Sequence, residues 1–207
     1  MKKIKVLIAD DHAIVRMGLA SILGTKKDIE VVGDAEDGLS AVRKAQKLAP
    51  DVVLMDIVMP EMDGATATAE IQKSCPGTRV LILTSFGTAD GIAHALDAGA
   101  SGALIKNVDY SELVEAIRTV ASGKSVVSPE ITKMLRESPP VPELTERQQE
   151  ILQSMTRGLT DAEIGRQLQL TPNGVREHIT KIFQKIGAAN RAEAVAIALR
   201  KHLLLKT

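Results

Sequence analysis

The sequence predicts a doubly wound α/β domain with a five-stranded parallel sheet, followed by a small all-α domain of four helices. Short apolar runs alternate five times with helical patterns in the first 122 residues, which is the order of a parallel sheet with helices on both faces. After a proline-rich stretch at 138–142, polar helix-capping patterns recur and no further strand is predicted. We therefore expect two separate folding units.

The third apolar run, residues 52–55, is the predicted central strand, and it ends on Asp56. Pro50 and Pro60 bound this run, and a short segment that is apolar on both faces is typical of a strand buried between two helical layers. The predicted strands are residues 4–9, 29–34, 52–55, 79–83 and 103–105. With right-handed crossovers, we expect the flavodoxin-like strand order 2-1-3-4-5.

Helices are predicted after these strands because apolar residues recur at three- and four-residue spacing. Gly99 ends the fourth helix, and Asp109 followed by Glu112 has the spacing of a capping box at the start of the fifth. A further short helix is predicted from Pro129, and residues 138–142 are predicted to form an extended linker.

The second domain contains helix starts with Gln or Glu three residues after a polar cap, which is the capping-box pattern. These pairs are Thr145 with Gln148, Thr160 with Glu163, and Asn190 with Glu193. Another helix opens on Thr171 with Pro172 at its first position. Four helices are therefore predicted.

Composition is that of an ordinary soluble globular chain of 207 residues, 44% hydrophobic and 25% charged. The formal net charge is zero, but residues 1–142 hold 16 Lys and Arg against 19 Asp and Glu, whereas residues 143–207 hold 10 against 7. Cys75 is the single cysteine, which excludes an intrachain disulfide and a multi-cysteine zinc site. No apolar stretch reaches the ~20 residues that span a bilayer. We therefore expect a cytoplasmic protein with no membrane segment.

Reactive side chains follow four of the predicted strands at the point where each strand ends. They are Asp10, Asp11, Asp56, Thr84 and Lys106. In the predicted strand order these ends border one crevice, where three carboxylates would repel one another unless a cation shared the site. Mg²⁺ fits such a site because few carboxylates hold it together with water and substrate oxygens. The alternative is that these residues are ordinary turn-forming acids and a surface lysine. For any one of them taken alone, this alternative would be the preferred interpretation.

The predicted chemistry of this crevice is phosphoryl transfer to Asp56, which would become an aspartyl phosphate. A metal ion and Lys106 would neutralise the charge on the phosphoryl oxygens while Asp56 attacks as the nucleophile. Thr84 could donate its hydroxyl to another phosphoryl oxygen.

Four motifs resemble the receiver domain of bacterial response regulators, and the resemblance covers residues 3–122. They are Ile8-Ala9-Asp10-Asp11-His12, Leu54-Met55-Asp56 with Met59-Pro60 and Asp63-Gly64, Leu83-Thr84-Ser85, and Ile105-Lys106. The resemblance implies that Asp11, Asp56 and the backbone carbonyl of Val58 ligate Mg²⁺. It also implies that Asp10 acts mostly through water and that a histidine kinase donates the phosphoryl group.

Two positions depart from the usual receiver pattern. The family usually has Tyr or Phe at the position of Ala103, and many members have Pro at the position of Asn107. Without a ring to follow Thr84 inward, we expect the activating shift to run through the backbone and helix packing.

Residues 160–168 and 171–179, joined by a turn at Gln169-Leu170, have helix-turn-helix spacing. The apolar residues of the second helix form an inner face: Val175, Ile179, Ile182, Phe183 and Ile186. The candidate DNA-contacting residues lie outside that face: Asn173, Arg176, Glu177, Thr180, Lys181 and Lys185. Arg176, Glu177 and Thr180 lie in the N-terminal half of this helix and would enter a major groove. Lys181 and Lys185 lie further along and would contact phosphates. The alternative is the ordinary solvated side of a helix.

The tail also resembles the LuxR-type DNA-binding domain over residues 143–207. The matching residues are 144–152, Gly158, Glu163-Ile164, Val175 to Ile179, Ile182, Lys185 and Asn190-Arg191. Gly174 departs from the Thr or Ser that is common there, and it lowers helix propensity by up to about 1 kcal/mol. A receiver at 1–122, a linker at 123–142 and this tail at 143–207 together resemble a response regulator of the NarL/FixJ family.

We therefore expect a transcription regulator rather than an enzyme, switched by phosphorylation of Asp56 and paired as a homodimer on double-stranded DNA. One alternative is a dimeric regulator that does not use phosphate, for which Ala103 is the single indication. Another is a metal-dependent phosphohydrolase, but such enzymes generally need an acid two residues after the nucleophile, where this chain has Val58. The last helix carries an apolar stripe that we interpret as core, with a second dimer contact as the alternative: Val195, Leu199 and Leu203.

Overall fold

A computed structural model describes residues 2–85, 89–137, 144–200 and 203–204, except for the side chain of Arg200. The chain divides into two units, residues 1–140 and 141–207, and each is described by itself. The predicted linker at 138–142 lies outside the described residues.

The first unit is built on a parallel sheet with the strand order β2-β1-β3-β4-β5-β6. The strands are β1 (Ile4–Ala9), β2 (Ile29–Ala35), β3 (Val52–Met55), β4 (Arg79–Thr84), β5 (Gly102–Ile105) and β6 (Val126–Val127). The parallel sheet and the order of its first five strands confirm the prediction, but the prediction of exactly five strands was wrong. The added strand β6 has two residues, which are too few for a hydrophobic pattern to show in the sequence.

Helices cover both faces of the sheet because neighbouring strand residues point to opposite sides. The helices are α1 (Ala13–Gly24), α2 (Gly38–Leu48), α3 (Gly64–Ser74), α4 (Ala89–Asp97), α5 (Tyr110–Ala121) and α6 (Pro129–Glu137). Leu54 belongs to the core with α1 and α5, whereas its neighbour Met55 belongs to the core with α2, α3, α4 and α6. This is the doubly wound arrangement, and it leaves the carboxyl ends of the strands at one edge.

The segment after α5 returns to the sheet. Val126 and Val127 pair with Gly102 and Ala103 of β5, and Ile131 of α6 is fully buried in the same cluster as Ala103. The residues from 126 to 137 are therefore part of the first unit's packing.

The described part of the second unit contains four helices around one apolar cluster: α7 (Glu146–Thr156), α8 (Asp161–Leu168), α9 (Pro172–Ile186) and α10 (Arg191–Arg200). Val195 and Leu203 pack against that cluster, whereas Leu199 is exposed. The predicted apolar stripe is thus partly core and partly surface. Among the described helices, none combines the length and the apolar character that crossing a membrane requires.

The helix caps follow the predicted pattern in two helices and vary it in others. Thr145 and Thr160 form complete capping boxes at the starts of α7 and α8. At the start of α10, Asn190 accepts from the N–H of Glu193, but the Glu193 carboxylate accepts from Ala189 instead of Asn190. Asp109 caps α5 by accepting from Ser111, so the predicted box with Glu112 was wrong. Each variation still satisfies a backbone N–H at the helix start.

Candidate functional site

Asp56 lies directly after β3, at the carboxyl edge of the sheet, and only 5% of it is exposed. Its backbone N–H donates to the carbonyl of Ala9 at 2.8 Å, which continues the β1–β3 pairing by one residue. Its Oδ1 accepts from the N–H of Ile57 at 2.7 Å. The sheet and the following turn therefore fix both the backbone and the carboxylate of Asp56.

Lys106 bridges two carboxylates at this edge. It follows β5, and its Nζ lies 2.6 Å from Oδ2 of Asp56 and 2.7 Å from Oδ2 of Asp10. The sequence predicted that these three residues border one crevice, and in the structure both carboxylates contact Lys106. An ammonium group shared by two buried carboxylates offsets the repulsion between them.

Burial is the main influence on the titration of Asp56. Burial raises the pKa of Asp56, and the charge of Asp10 adds to that effect, while Lys106 opposes it through its hydrogen bond and its charge. Burial lowers the pKa of Lys106, but the hydrogen bonds to Asp10 and Asp56 outweigh it, so the pKa of Lys106 is raised. Lys106 is therefore a cation at neutral pH.

Asp10, Asp11, His12 and Asp56 form a cluster of possible metal ligands. Each offers one ligand atom, and these atoms all lie within 4.8 Å of one another. The Nδ1 of His12 lies 2.6 Å from Oδ1 of Asp11, and the backbone N–H of His12 donates to Oδ1 of Asp10 at 2.9 Å. Carboxylate oxygens this close together are the hard donors that Mg²⁺ takes in proteins, usually one or two of them with water, so the residues present fit that ion.

Thr84 ends β4 beside Lys106. It is buried, and its carbonyl accepts from the N–H of Lys106 at 2.7 Å, which extends the β4–β5 pairing. The candidate residues from three strand ends are thus held by backbone pairing to their neighbours.

Two glycines set the path of the loop that follows Asp56. Gly64 donates its N–H to the carbonyl of Ile57 at 2.9 Å, and a Cβ at residue 64 would lie 2.0 Å from the carbonyl oxygen of Asp56. Gly38 donates to the carbonyl of Met62 at 3.1 Å, where a Cβ would lie 2.3 Å from that oxygen. Only glycine fits at either position without a shift of the loop.

Arg16 is a site residue that sequence reasoning missed. Its Nη1 donates to the carbonyl of Asp10 at 2.8 Å and its Nε donates to Asp34 at 2.8 Å, so it holds the turn after β1. A basic residue in the first helix is the one sequence signal for this role, and that signal does not indicate which carbonyl the side chain meets.

The second candidate site is the helix pair α8 and α9. Gln169 adopts a left-handed conformation with φ of 55°, and Leu170 donates to the carbonyl of Gly165 at 2.8 Å. A Cβ at residue 165 would lie 2.8 Å from the carbonyl oxygen of Leu170, so Gly165 permits the close turn. The turn predicted at Gln169-Leu170 is where the chain reverses into α9.

The inner face of α9 is buried as predicted, with Val175, Ile179, Ile182 and Ile186 in the core and Phe183 packed against it. Five of the candidate DNA-contacting side chains are exposed: Asn173, Arg176, Glu177, Thr180 and Lys181. Lys185 differs, because it is half-buried and its Nζ donates to Oε1 of Gln148 in α7 at 3.0 Å. Lys185 therefore also connects two helices.

The comparison with protein families decides what these two sites belong to. The profile of the family described as response regulator receiver domain matches residues 6–118. The chain belongs to the response regulator family. A second profile, described as bacterial regulatory proteins of the luxR family, matches residues 142–198.

Similar proteins extend over the whole chain. Response regulator protein VraR of Staphylococcus aureus is 38% identical over 206 residues, which cover 97% of this chain and 99% of VraR. The solved response regulator ChrA of a heme-sensing two-component system is 36% identical, with a TM-score of 0.59 and coverage of 99% of this chain and 100% of ChrA. RcsB of Salmonella typhimurium is 23% identical, with a TM-score of 0.62 and coverage of 97% and 100%, a likeness that shows the fold alone.

These matches confirm the predicted family and its general function. The protein is a two-component response regulator with a receiver domain and a LuxR-type DNA-binding domain. This family consists of DNA-binding regulators and not of classical enzymes, although receiver domains carry out phosphoryl chemistry on themselves.

Proposed function

We propose that this response regulator acts in the cytoplasm, that Asp56 is its phosphoryl acceptor, and that a histidine kinase supplies the phosphoryl group. The observation that carries the proposal is the 2.6 Å contact between Lys106 Nζ and Asp56 Oδ2, within a cluster that also contains Asp10 and Asp11. A nucleophilic carboxylate beside a fixed cation is the arrangement that phosphoryl transfer requires, because negative charge on the phosphoryl oxygens must be neutralised.

In the proposed step, a carboxylate oxygen of Asp56 attacks the phosphorus of a phosphohistidine on the kinase. The new phosphorus–oxygen bond forms as the phosphorus–nitrogen bond breaks, and the imidazole leaves with the electron pair and takes up a proton. Lys106 then exchanges its contact with the Asp56 carboxylate for a phosphoryl oxygen, while it keeps its ion pair with Asp10. Thr84, at the neighbouring strand end, donates its hydroxyl to a second phosphoryl oxygen.

We propose that Asp11, Asp56 and the backbone carbonyl of Val58 hold Mg²⁺, with Asp10 acting mainly through water. The ion, when bound, supplies positive charge opposite the phosphoryl oxygens. Val58 lies two residues after Asp56, in the loop whose flanking carbonyls, of Ile57 and Met62, accept hydrogen bonds from Gly64 and Gly38.

Val58 also weighs against the phosphohydrolase alternative. The residue is apolar and 57% exposed, at the position where aspartate-nucleophile phosphatases generally carry an acid. A valine cannot donate a proton to a leaving group. The site therefore supports capture of a phosphoryl group on Asp56 better than turnover of phosphate esters.

We propose that the output of phosphorylation is a homodimer that binds two half-sites of double-stranded DNA about one helical turn apart. The exposed polar face of α9 supports this role, because a ridge with Arg176, Glu177 and Lys181 can reach base edges and phosphates in a major groove. One α9 reads only a few base pairs, so two copies related by a twofold axis give a site of useful length.

Labelling with acetyl phosphate and Mg²⁺, followed by intact-mass measurement, tests the acceptor. The wild-type chain should gain one phosphoryl group, Asp56→Asn should gain none, and chelation of the metal should abolish labelling. Asp97→Asn removes an exposed carboxylate at the end of α4 and is the matched control, which should be labelled like wild type. Full labelling of Asp56→Asn would show that another residue is the acceptor.

Sedimentation velocity tests the dimer. The labelled wild-type chain should sediment as a dimer on DNA with two half-sites, and Asp56→Asn treated in the same way should not. If the labelled protein stays monomeric on such DNA, the dimer proposal is wrong. If unlabelled protein is equally dimeric, the phosphorylation-independent alternative is favoured.

A further inference from the structure

Asp161 contacts arginines from two other helices of the second unit. It is the first residue of α8, and its Oδ1 lies 2.8 Å from Nη1 of Arg191 in α10. Its Oδ2 faces α9, 4.0 Å from Nε of Arg176. One carboxylate thus lies between the last helix and a candidate DNA-contacting side chain.

The two contacts differ in how firmly they hold. Arg191 also donates from Nη2 to the carbonyl of Leu159, so it is tied to the segment before α8 at two points. Both Asp161 and Arg191 have about a third of their side chains exposed, whereas 72% of the Arg176 side chain is exposed. Arg191 therefore fixes the carboxylate, and Arg176 is the mobile partner.

The atom through which Arg176 meets Asp161 matters for recognition. The guanidinium group has five N–H donors in a planar fork, and the contact with Asp161 is on the Nε side. Both terminal nitrogens therefore remain available in the plane of the group. Two such donors are what an arginine uses to bind O6 and N7 of guanine in a major groove.

We propose that Asp161 is a positioning residue that orients Arg176 for recognition of a guanine. The inference rests on the proposed binding of α9 to DNA, and it adds a residue outside α9 to those that determine the sequence preference. An exposed ion pair contributes little to stability, so its value here is to restrict the conformations of a long side chain before binding.

Two contacts hold the backbone of Arg176, from which its side chain extends, in a defined position. The hydroxyl of Thr180 donates to the carbonyl of Arg176 at 2.9 Å, one turn along α9. The adjacent Val175 is fully buried in the core. The Cα of Arg176 is therefore held, and the carboxylate of Asp161 limits where its guanidinium can go.

Selection of binding sites from random DNA by the full-length phosphorylated chain tests this role. Wild type should enrich a guanine that Arg176→Ala no longer enriches, and Asp161→Asn should weaken enrichment at that same base pair by about threefold to tenfold. The double variant should match Arg176→Ala, because Asp161 acts only through Arg176. Binding to other positions of the site should change little.

Glu146→Gln is the matched control, since Glu146 is the first residue of α7 and, among the described residues, forms no ion pair. It removes an acid at the equivalent helix position, and it should leave the guanine preference as in wild type. A change of the preference by Glu146→Gln as large as that by Asp161→Asn would overturn the specific role of Asp161.

Arg176→Lys keeps the test decisive if Asp161→Asn does not fold, because this exposed substitution retains the charge but removes the fork. The guanine preference should fall by about tenfold, while the salt dependence of binding stays as in wild type. The positioning role would be refuted if Arg176→Lys kept the full guanine preference. It would also be refuted if a folded Asp161→Asn kept that preference while Arg176→Ala lost it. If wild type enriches no sequence at all, the proposed DNA reading by α9 fails and this inference fails with it.

Discussion

The backbone N–H of Ser128 donates a hydrogen bond of 3.0 Å to the carbonyl oxygen of Ala103. This bond continues the pairing of β6 with β5, and it places the start of α6 directly against the strand that leads to Lys106. Ala103 has no exposed surface and shares a buried cluster with Ile131 of α6. The position where receivers usually have an aromatic ring is therefore closed by the chain's own helix.

The first prediction is that Ala103→Tyr destabilises the first unit. The added ring has no space beside α6, and overpacking costs about 1 to 3 kcal/mol in the free energy of unfolding. Ile131→Ala should cost about 2 to 5 kcal/mol, because it leaves a cavity in the same cluster. Phosphoryl labelling of the folded fraction should persist, since Ala103 does not touch the carboxylates. Urea unfolding measures the loss of stability, and intact-mass measurement determines the phosphoryl labelling.

A double-mutant cycle distinguishes this packing from an unrelated loss of stability. Ala103→Tyr combined with Ile131→Ala should be less destabilised than the sum of the single variants, because the ring can enter the space that Ile131 leaves. Additive losses would indicate that the two side chains do not share a cavity.

The sequence was sufficient to predict the strand ends and the side chains that follow them. Asp10, Asp56, Thr84 and Lys106 each come directly after an apolar run, and parallel pairing alone brings such positions to one edge. This part of the site depends on local patterns and on a general topology, both of which a single sequence contains.

Other features depend on which distant residues meet, and periodicity carries no information on that. The β6 strand exists because Val126 and Val127 find a free edge at β5. Arg16 reaches the carbonyl of Asp10, and Lys185 reaches Gln148 across 37 residues. These contacts follow from how whole helices pack, so they became visible only in the structure.

The second prediction concerns the cation between the two buried carboxylates. Lys106→Met should lower the free energy of unfolding at pH 7 by up to about 3 kcal/mol, because it leaves Asp10 and Asp56 without their shared partner. The deficit should shrink in acid, where the carboxylates take up protons and no longer repel. Urea unfolding at a series of pH values measures it.

Lys124→Met is the control for this substitution, since Lys124 is exposed after α5 and lies outside the carboxylate site. It should change the free energy of unfolding by less than about 0.5 kcal/mol. Equal effects of the two substitutions would mean that the ion pairs of Lys106 do not support the fold.

The third prediction is a pH dependence with a definite sign. Burial raises the pKa of Asp56 above its unfolded value, with Lys106 in opposition, so the stability associated with its neutral form is present at low pH and is lost as pH rises through the folded pKa. Asp56→Asn, which stays neutral, should therefore be more stable than wild type at pH 7. The difference should vanish below the ordinary pKa of aspartate.

Thermal unfolding of both proteins in the absence of divalent ions, from acid to neutral pH, measures this difference. The rate of labelling by acetyl phosphate should decline over the same range as pH falls, because attack requires the ionised carboxylate. A variant that is less stable than wild type at pH 7 and gains on acidification would give the opposite sign and contradict the raised pKa.

The last prediction divides the outer face of α9 into residues that choose a sequence and residues that hold the backbone. Lys181→Ala should weaken binding to all DNA sequences alike, because one phosphate contact is lost. The slope of the logarithm of the binding constant against the logarithm of salt concentration, here called the salt slope, should fall in magnitude by about 1. Lys185→Ala should lower the slope similarly and also reduce the melting temperature of the tail, since it removes the hydrogen bond to Gln148. Glu177→Ala should leave the salt slope unchanged but reduce the sequence preference at one base pair. The discrimination lost there should be about 1 to 3 kcal/mol. Titrations of selected and mixed DNA over a range of salt separate these effects. A changed sequence preference in Lys185→Ala, with only a changed slope in Glu177→Ala, would show that α9 docks in another register.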